Sequence, residues 1–355
     1  MTHHPPRHTP SWTRRAFVTG GLVAGGLWTS RAAPAQQAAP APPAGGSAGQ
    51  RLTPSPATPA PPAPPSSLLG LPSTWPPAQR GQPTQFQIAC MTLPYSAFPL
   101  LRALAGIRSA GYRYVAWGTT HREEGQPRPV PVLPPDAPPP HAQELAQRCR
   151  DLGLEPVLMF SGIYPEAPQA VEVLTQRIRQ AAAAGIGQVL TFGHTSGEHR
   201  GVWVQRLKQL GPIARDHGVR IVIKQHGETG EVIGQIVREV NDPGIAVNYD
   251  AGNVMDYTRG QVDPLKDIAT CADLLASFCI KDHRMFPADQ DCGPGLGEID
   301  HYRLLAHVAY TGRTIPLACE NISAPRVRPT RPEEVDMLAR RAREFLELVI
   351  RGLLA

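Results

Sequence analysis

From Phe86 onward the chain repeats one pattern, a short apolar run followed by a longer amphipathic segment, and this repetition restricts the fold more than any other feature. Segments 86–91, 113–117, 156–160, 188–192, 219–224, 244–249, 275–281 and 314–319 read as strands. Segments 98–110, 141–152, 168–184, 202–217, 228–240, 263–271, 302–309 and 332–353 read as the helices between and after them. Strand and helix in strict alternation is the pattern of βα units around a parallel sheet. Several helices stop at a glycine that leads straight into a strand, as at Gly111, Gly153, Gly185 and Gly218, since glycine reaches the left-handed conformation that ends a helix. Eight such units in about 270 residues is the count and size of a (β/α)8 TIM barrel. A doubly wound open sheet would carry a phosphate-binding glycine turn after its first strand. Met91-Thr92-Leu93-Pro94 is not one.

The pattern does not extend to the N-terminal part. The chain has 40 prolines, which crowd before residue 85 and again between Pro127 and Pro140. Arg14-Arg15-Ala16-Phe17 precedes a mildly apolar, glycine-rich run at 18–28 and then Ala33-Pro34-Ala35, the layout of a twin-arginine export signal with its cut near Ala35. The apolar run falls well short of the roughly 20 residues that span a bilayer, so no stable membrane anchor is expected. Residues 36–84 are Ala, Pro, Gly and Ser with few large aliphatics, too little apolar surface to offset the entropy of ordering them. The organisation is therefore a signal segment at 1–35, a disordered Pro/Ala-rich linker at 36–84 and the barrel at 85–355. The expected destination is periplasmic or extracellular, with the twin-arginine machinery as a partner.

The formal charge of +5 comes largely from the leader, where Arg7, Arg14, Arg15, Arg31, Arg51 and Arg80 stand without any Asp or Glu. The barrel itself is close to neutral, which argues against a nucleic-acid partner. None of the six cysteines, Cys90, Cys149, Cys271, Cys279, Cys292 and Cys319, forms a C-x-x-C pair. Cys90, Cys279 and Cys319 lie in apolar strand runs, where cysteine acts as a small buried hydrophobe. Twin-arginine export carries proteins already folded, and a domain with free thiols fits it.

In a parallel barrel the chemistry lies at the carboxyl ends of the strands, and side chains there alternate in direction. The fifth strand ends in Lys224 and His226 on one side, the sixth in Asn248 and Asp250, the seventh in Cys279, Lys281 and His283, and the eighth in Glu320. Asp250, followed at once by Ala251-Gly252-Asn253, also reads as a helix cap or turn former. Each polar group taken singly has such a structural explanation, but together they place titratable groups at four consecutive apolar strand ends, where each needs a partner if buried. Asp250, Glu320, Lys224 and Lys281 are the catalytic candidates. His121, His194, Asn253 and Asp282 are candidates for substrate contact, beside the aromatic and hydroxyl groups of Trp117 to His121, Phe160-Ser161-Gly162 and Phe192 to Ser196. Gly293-Pro294-Gly295-Leu296-Gly297 follows a polar loop and reads as a rim segment or lid, not a phosphate loop.

The spacing of Tyr249-Asp250-Ala251-Gly252-Asn253, Ile280-Lys281-Asp282, Gly295-Leu296-Gly297-Glu298-Ile299-Asp300 and Ala318-Cys319-Glu320 resembles the xylose isomerase-like TIM barrel superfamily over roughly residues 85–350. The resemblance implies a divalent metal held by Glu, Asp, His and Glu from strands five to eight, with two carboxylates moving a proton beside a carbonyl. Asp250 and Glu320 match the sixth- and eighth-strand ligands, whereas Lys224 stands at the glutamate position and Cys279 at the histidine position. Two outcomes follow. Either a metal such as Mn, Zn or Fe shifts outward to His226, Asp250, His283 and Glu320, which is slightly favoured, or Lys224 replaces it and pairs with the acids. The implied function is an exported isomerase or epimerase of a small, unphosphorylated carbohydrate. A lyase or hydratase on an oxidised sugar or inositol, and a non-catalytic carbohydrate-binding barrel, are the alternatives.

Overall fold

The computed structural model describes residues 81–193 and 199–355. The expected signal segment, all but the last residues of the expected linker, and His194 lie outside them.

Eight parallel strands close into a barrel with each strand beside its sequence neighbours. They are β1 (Gln85–Met91), β2 (Tyr114–Trp117), β3 (Glu155–Phe160), β4 (Gln188–Phe192), β5 (Arg220–Lys224), β6 (Ile245–Tyr249), β7 (Leu275–Ile280) and β8 (Thr314–Cys319). The ring is sealed where β1 pairs with β8, from Gln85 opposite Thr314 to Cys90 opposite Cys319. Outside the strands run α1 (Leu100–Ser109), α2 (Pro139–Asp151), α3 (Ala170–Ala184), α4 (Arg200–Asp216), α5 (Gly230–Val240), α6 (Ala251–Thr258), α7 (Pro264–Asp267), α8 (His301–Ala306) and α9 (Pro332–Leu354). This is the (β/α)8 TIM barrel that the alternating sequence predicts, and every strand end agrees with that reading to within one residue.

Two cores follow from the two faces of the sheet. The barrel interior is filled by Ala89, Met91, Ala116, Leu158, Leu190, Val222, Ala246, Ala276 and Ala318, so the alanines of β6, β7, β8, β1 and β2 leave room for the larger residues that β3, β4 and β5 supply. The second core lies between strands and helices, where Leu104, Ile107, Leu174, Ile178, Leu207, Ile233, Ile236 and Leu346 are fully buried. Each such side chain contributes about 1.5–3 kcal/mol of burial. α9 closes the outer ring against the first unit: Tyr95 Oη and the Arg102 guanidinium donate to Asp336, and Tyr112 Oη donates to the Ala339 carbonyl at 2.8 Å.

The largest difference from the sequence reading falls after β6. A helix is expected only at 263–271, but α6 begins at Ala251 and the later segment holds only α7 and two 3-10 turns. Of the two structural readings of Asp250, helix cap and turn former, the first holds: Asp250 caps α6, with Gly252 in its first turn. Two small hairpins also rise from the loops: Thr120–His121 pairs with Val130–Pro131, and Asp282–Arg284 with Gln290–Cys292. Among the described residues no helix is long and apolar enough to cross a membrane.

Candidate functional site

Asp250 is aimed by three local features. β6 shifts register against β7 between Val247 and Asn248, and such an irregularity redirects the side chains that follow it. The Asp250 amide donates to Gln225 Oε1 at 2.9 Å, tying this strand end to that of β5. Its Oδ1 accepts from the Asn253 amide at 2.9 Å and so starts α6. The capping and functional readings of Asp250 therefore coexist, because one oxygen caps the helix and the other does not. Oδ2 is buried and accepts no hydrogen bond among the described residues.

Two ammonium groups flank that oxygen. Lys224 Nζ lies 3.5 Å from Asp250 Oδ2 and Lys281 Nζ 3.9 Å from it. Lys224 donates to both oxygens of Glu320, at 2.8 and 2.7 Å, and rests 5.6 and 5.8 Å from the ring centroids of Phe160 and Phe192. Lys281 donates to Asn253 Oδ1 and, at 2.9 Å, to Asp291 Oδ2. Gly252 makes room for it, since a Cβ there would come within 2.7 Å of the lysine's aliphatic stem. Asn253 is fixed in turn by donating Nδ2 to the Gln225 carbonyl.

The charges answer to these contacts. Burial raises the Asp250 pKa to about 6 against the pull of Lys281 and Lys224. Burial also acts to raise Glu320, but Lys224 and then Lys281 outweigh it and bring that carboxyl down to about 2. Burial tends to lower both lysines; Glu320 above all for Lys224, and Asp250 and Asp291 for Lys281, reverse this and hold them above the usual lysine range. At neutral pH the centre is two ammonium groups, one ion-paired carboxylate and one carboxylate with a free oxygen. Cys279, buried beside them, has its thiol pushed up by burial and stays protonated.

One wall of the mouth is aromatic. The His226 ring packs 5.2 Å from Phe192, 5.1 Å from Tyr257 and 6.3 Å from Tyr164, centroid to centroid. Burial and then the neighbouring Lys224 lower its pKa to about 4, so it is neutral at pH 7. Nδ1–H donates to the Gly193 carbonyl at 3.1 Å, leaving Nε2 as an acceptor.

The sequence matches the family model for the xylose isomerase-like TIM barrel over residues 104–347. The chain belongs to this family. Solved structures share its fold at low identity. A xylose isomerase-like TIM barrel protein from Mycobacterium smegmatis, solved in complex with magnesium, is 16% identical, with a TM-score of 0.59 over 77% of this chain and 98% of its own. A D-allulose 3-epimerase from Methylomonas sp. is 19% identical, with a TM-score of 0.54 over 76% of this chain and 99% of its own. An L-ribulose 3-epimerase is 18% identical, with a TM-score of 0.54 over 75% of this chain and 95% of its own. No curated protein matches the sequence.

Within this xylose isomerase-like barrel the four ligands expected for a shifted metal do not come together. Asp250, Cys279 and Glu320 have ligand atoms within 4.8 Å of one another, whereas His283 groups with Asp256 and Asp289. His226 joins neither group among the described residues. Both His283 nitrogens face carboxylates, Nδ1 toward Asp291 at 2.8 Å and Nε2 toward Asp289 at 2.9 Å. Between Asp250 and Glu320 the Lys224 ammonium already lies 2.7 Å from a Glu320 oxygen, so the residues present do not fit a divalent cation there.

The substrate-contact candidates separate in the same way. Asn253 lies in the centre. Asp282 faces the rim loop, where Oδ1 accepts from the His283 and Ile299 amides and Oδ2 from the Gly295 amide, so its contact is with the 293–299 segment. His121 is a buried residue of the first hairpin, with Nδ1 on the Phe98 carbonyl at 2.8 Å. Asp291 and Gln225 are functional neighbours that the sequence reading does not single out. The hairpin that returns Asp291 to Lys281 joins two short polar segments, Asp282–Arg284 and Gln290–Cys292, which carry no strand pattern in the sequence.

Proposed function

We propose that this barrel is a sugar isomerase or epimerase that transfers a proton at a carbon next to a carbonyl, with Asp250 as the base. One observation carries the reading: Asp250 Oδ2 is a buried oxygen with no hydrogen bond among the described residues, set between the ammonium groups of Lys224 and Lys281 at 3.5 and 3.9 Å. A carboxyl pushed up to about 6 is still ionised at neutral pH and is a stronger base than an ordinary carboxylate. When it takes the C–H proton, negative charge moves onto the carbonyl oxygen, and fixed ammonium groups stabilise the enediolate without reorganising. Returning the proton to the neighbouring carbon, as the hydroxyl proton passes to the former carbonyl oxygen, gives an isomer; an epimer forms when a donor other than Asp250 protonates the enediolate on its opposite face and Asp250 releases its proton to solvent. The aromatic wall of Phe192, His226, Tyr257 and Tyr164 suits the C–H face of a sugar ring, and the His226 Nε2 acceptor suits a hydroxyl.

The test is deuterium wash-in. The protein is incubated in D2O with a panel of unphosphorylated aldoses and ketoses, and proton NMR follows exchange at the carbon next to the carbonyl. Exchange that Asp250→Asn lowers at least 100-fold is expected; no exchange with any sugar of the panel overturns the reading. A lyase or hydratase is the second reading. It is favoured by Glu320 being held by Lys224, which leaves one free carboxylate beside an ammonium able to protonate a departing hydroxyl. Loss or gain of water in the product, seen by mass spectrometry, distinguishes it.

On this reading the protein acts outside the cytoplasm. The support is the Arg14-Arg15 pair ahead of a short apolar run and Ala33-Pro34-Ala35. Retention of an Arg14→Lys/Arg15→Lys variant in the cytoplasm is the expected result, and undiminished export of that variant would count against the route.

A further inference from the structure

Asp250, Cys279 and Glu320 come from three consecutive strand ends, and their ligand atoms converge within 4.8 Å, the arrangement of a cation site. The cation found there belongs to the chain. Lys224 Nζ donates to both Glu320 oxygens and stands 3.5 Å from the free oxygen of Asp250. We propose that Lys224 is the resident cation of this barrel: its ammonium takes the position of a divalent metal between Asp250 and Glu320, keeps metals out, and is the group that meets the substrate's carbonyl oxygen.

Four observations carry the inference. Both Glu320 oxygens, at least one of which a metal would need as a ligand, are already hydrogen-bond acceptors for Lys224. The lysine is held in place, because its side chain is only 4% exposed and its Nζ lies against the rings of Phe160 and Phe192, so swinging outward would break both contacts. A second ammonium, Lys281, lies 3.9 Å from the same Asp250 oxygen, so a divalent ion added there would meet two positive charges at close range. The third donor is a cysteine and not a further carboxylate, and three donors of which one is ion-paired do not complete a coordination shell for an oxygen-preferring metal.

The part of the proposal that concerns the carbonyl oxygen rests on the isomerase or epimerase reading; the exclusion of metal does not. The test therefore counts metal without substrate. Wild type, Asp250→Asn, Lys224→Glu, Lys224→Gln and the double variant Lys224→Glu/Asp250→Asn are equilibrated with Mn2+, and bound metal is counted by electron paramagnetic resonance. Wild type is expected to hold no Mn2+ whose retention depends on Asp250. Lys224→Glu should gain one equivalent, at least tenfold tighter than anything wild type binds, and the double variant should lose it. Mn2+ taken up instead by Asp256, His283 and Asp289 is recognised because Asp250→Asn leaves it unchanged, and it does not count as gain. One equivalent in wild type that Asp250→Asn removes would overturn the proposal. So would the absence of any gain in both Lys224 single variants, each shown by cooperative melting to be folded; should Lys224→Glu not fold, Lys224→Gln decides alone. Once a sugar is found, turnover should survive dialysis against EDTA, and turnover lost on dialysis and restored by Mn2+ would also refute the proposal. Failure of the isomerase reading would leave every metal count standing.

Discussion

The two oxygens of Asp250 have different neighbours, and this division lets its catalytic and structural roles be tested apart. Asn at this position keeps an oxygen for the Asn253 amide and so retains the helix cap, but it cannot accept a proton. Turnover of Asp250→Asn is expected to fall by a factor of about 10²–10⁴, the usual contribution of a positioned base. Because the carboxyl is raised to about 6 in the fold, kcat/KM should rise with pH through about 6 and level off above it. A folded-state pKa above the ordinary 3.8 also means that the fold favours the neutral form over the charged one. Its effect on stability is therefore a loss as pH rises from about 4 to 6, and Asp250→Asn should melt at the same or a higher temperature than wild type at pH 7. A lower Tm with unchanged kcat/KM would show a structural acid and not a base. Asp250, Glu320, Lys224 and Lys281 are legible as candidates because a charge at the end of an apolar strand has no other easy home. Their pairing is not legible: period two puts Lys224 on the rim, but it does not say whether the ammonium reaches Glu320, Asp250 or a metal.

Among the elements, the helices after β5 and β6 depend on acids that act at a distance in sequence. Asp267, at the end of α7, accepts from the Gly230 and Glu231 amides at the start of α5, at 2.7 and 3.2 Å, and from Tyr249 Oη at 2.9 Å. It thus joins α5, α7 and the last residue of β6, one position before Asp250. Gly230 is required for this approach, since a Cβ there would lie 2.7 Å from Asp267 Oδ2 and 2.8 Å from the Tyr249 ring. Asp267→Ala leaves these buried donors without an acceptor and is expected to cost roughly 2–3 kcal/mol in urea denaturation, the range of a lost cap with stranded partners. A cost under about 0.5 kcal/mol, the size of an ordinary surface change, would disprove the role. The strands are legible from sequence because a buried parallel strand is an uninterrupted apolar run. α6 and the Asp282–Cys292 hairpin are not, because both depend on tertiary partners: α6 runs through Gly252 only where Lys281 needs the space, and the hairpin is held by His283 and Lys281 meeting Asp289 and Asp291.

At the scale of the whole molecule, the barrel closes from parts that all lie between Gln85 and Leu354, and none of its six cysteines is used as a cross-link. All six are free and buried. Cys90 and Cys319 face each other across the β1–β8 seam, yet each packs as a small apolar side chain in the wall of the barrel. A fold built this way draws its stability from burial and not from oxidation, so it can be completed in a reducing compartment, which a route that exports folded proteins requires. The expected outcome is that the native protein shows no thiol reactive toward Ellman's reagent and six after unfolding in urea, and that its melting temperature is the same with and without dithiothreitol. A thiol count below six in urea, restored by reductant, would reveal a cross-link. The same titration reports on the centre of the barrel: Cys279 Sγ lies within 4.8 Å of ligand oxygens of Asp250 and Glu320, so a variant that loosens this cluster, such as Glu320→Ala, should expose one additional thiol well before global unfolding if the ion pair is what keeps water out of the mouth.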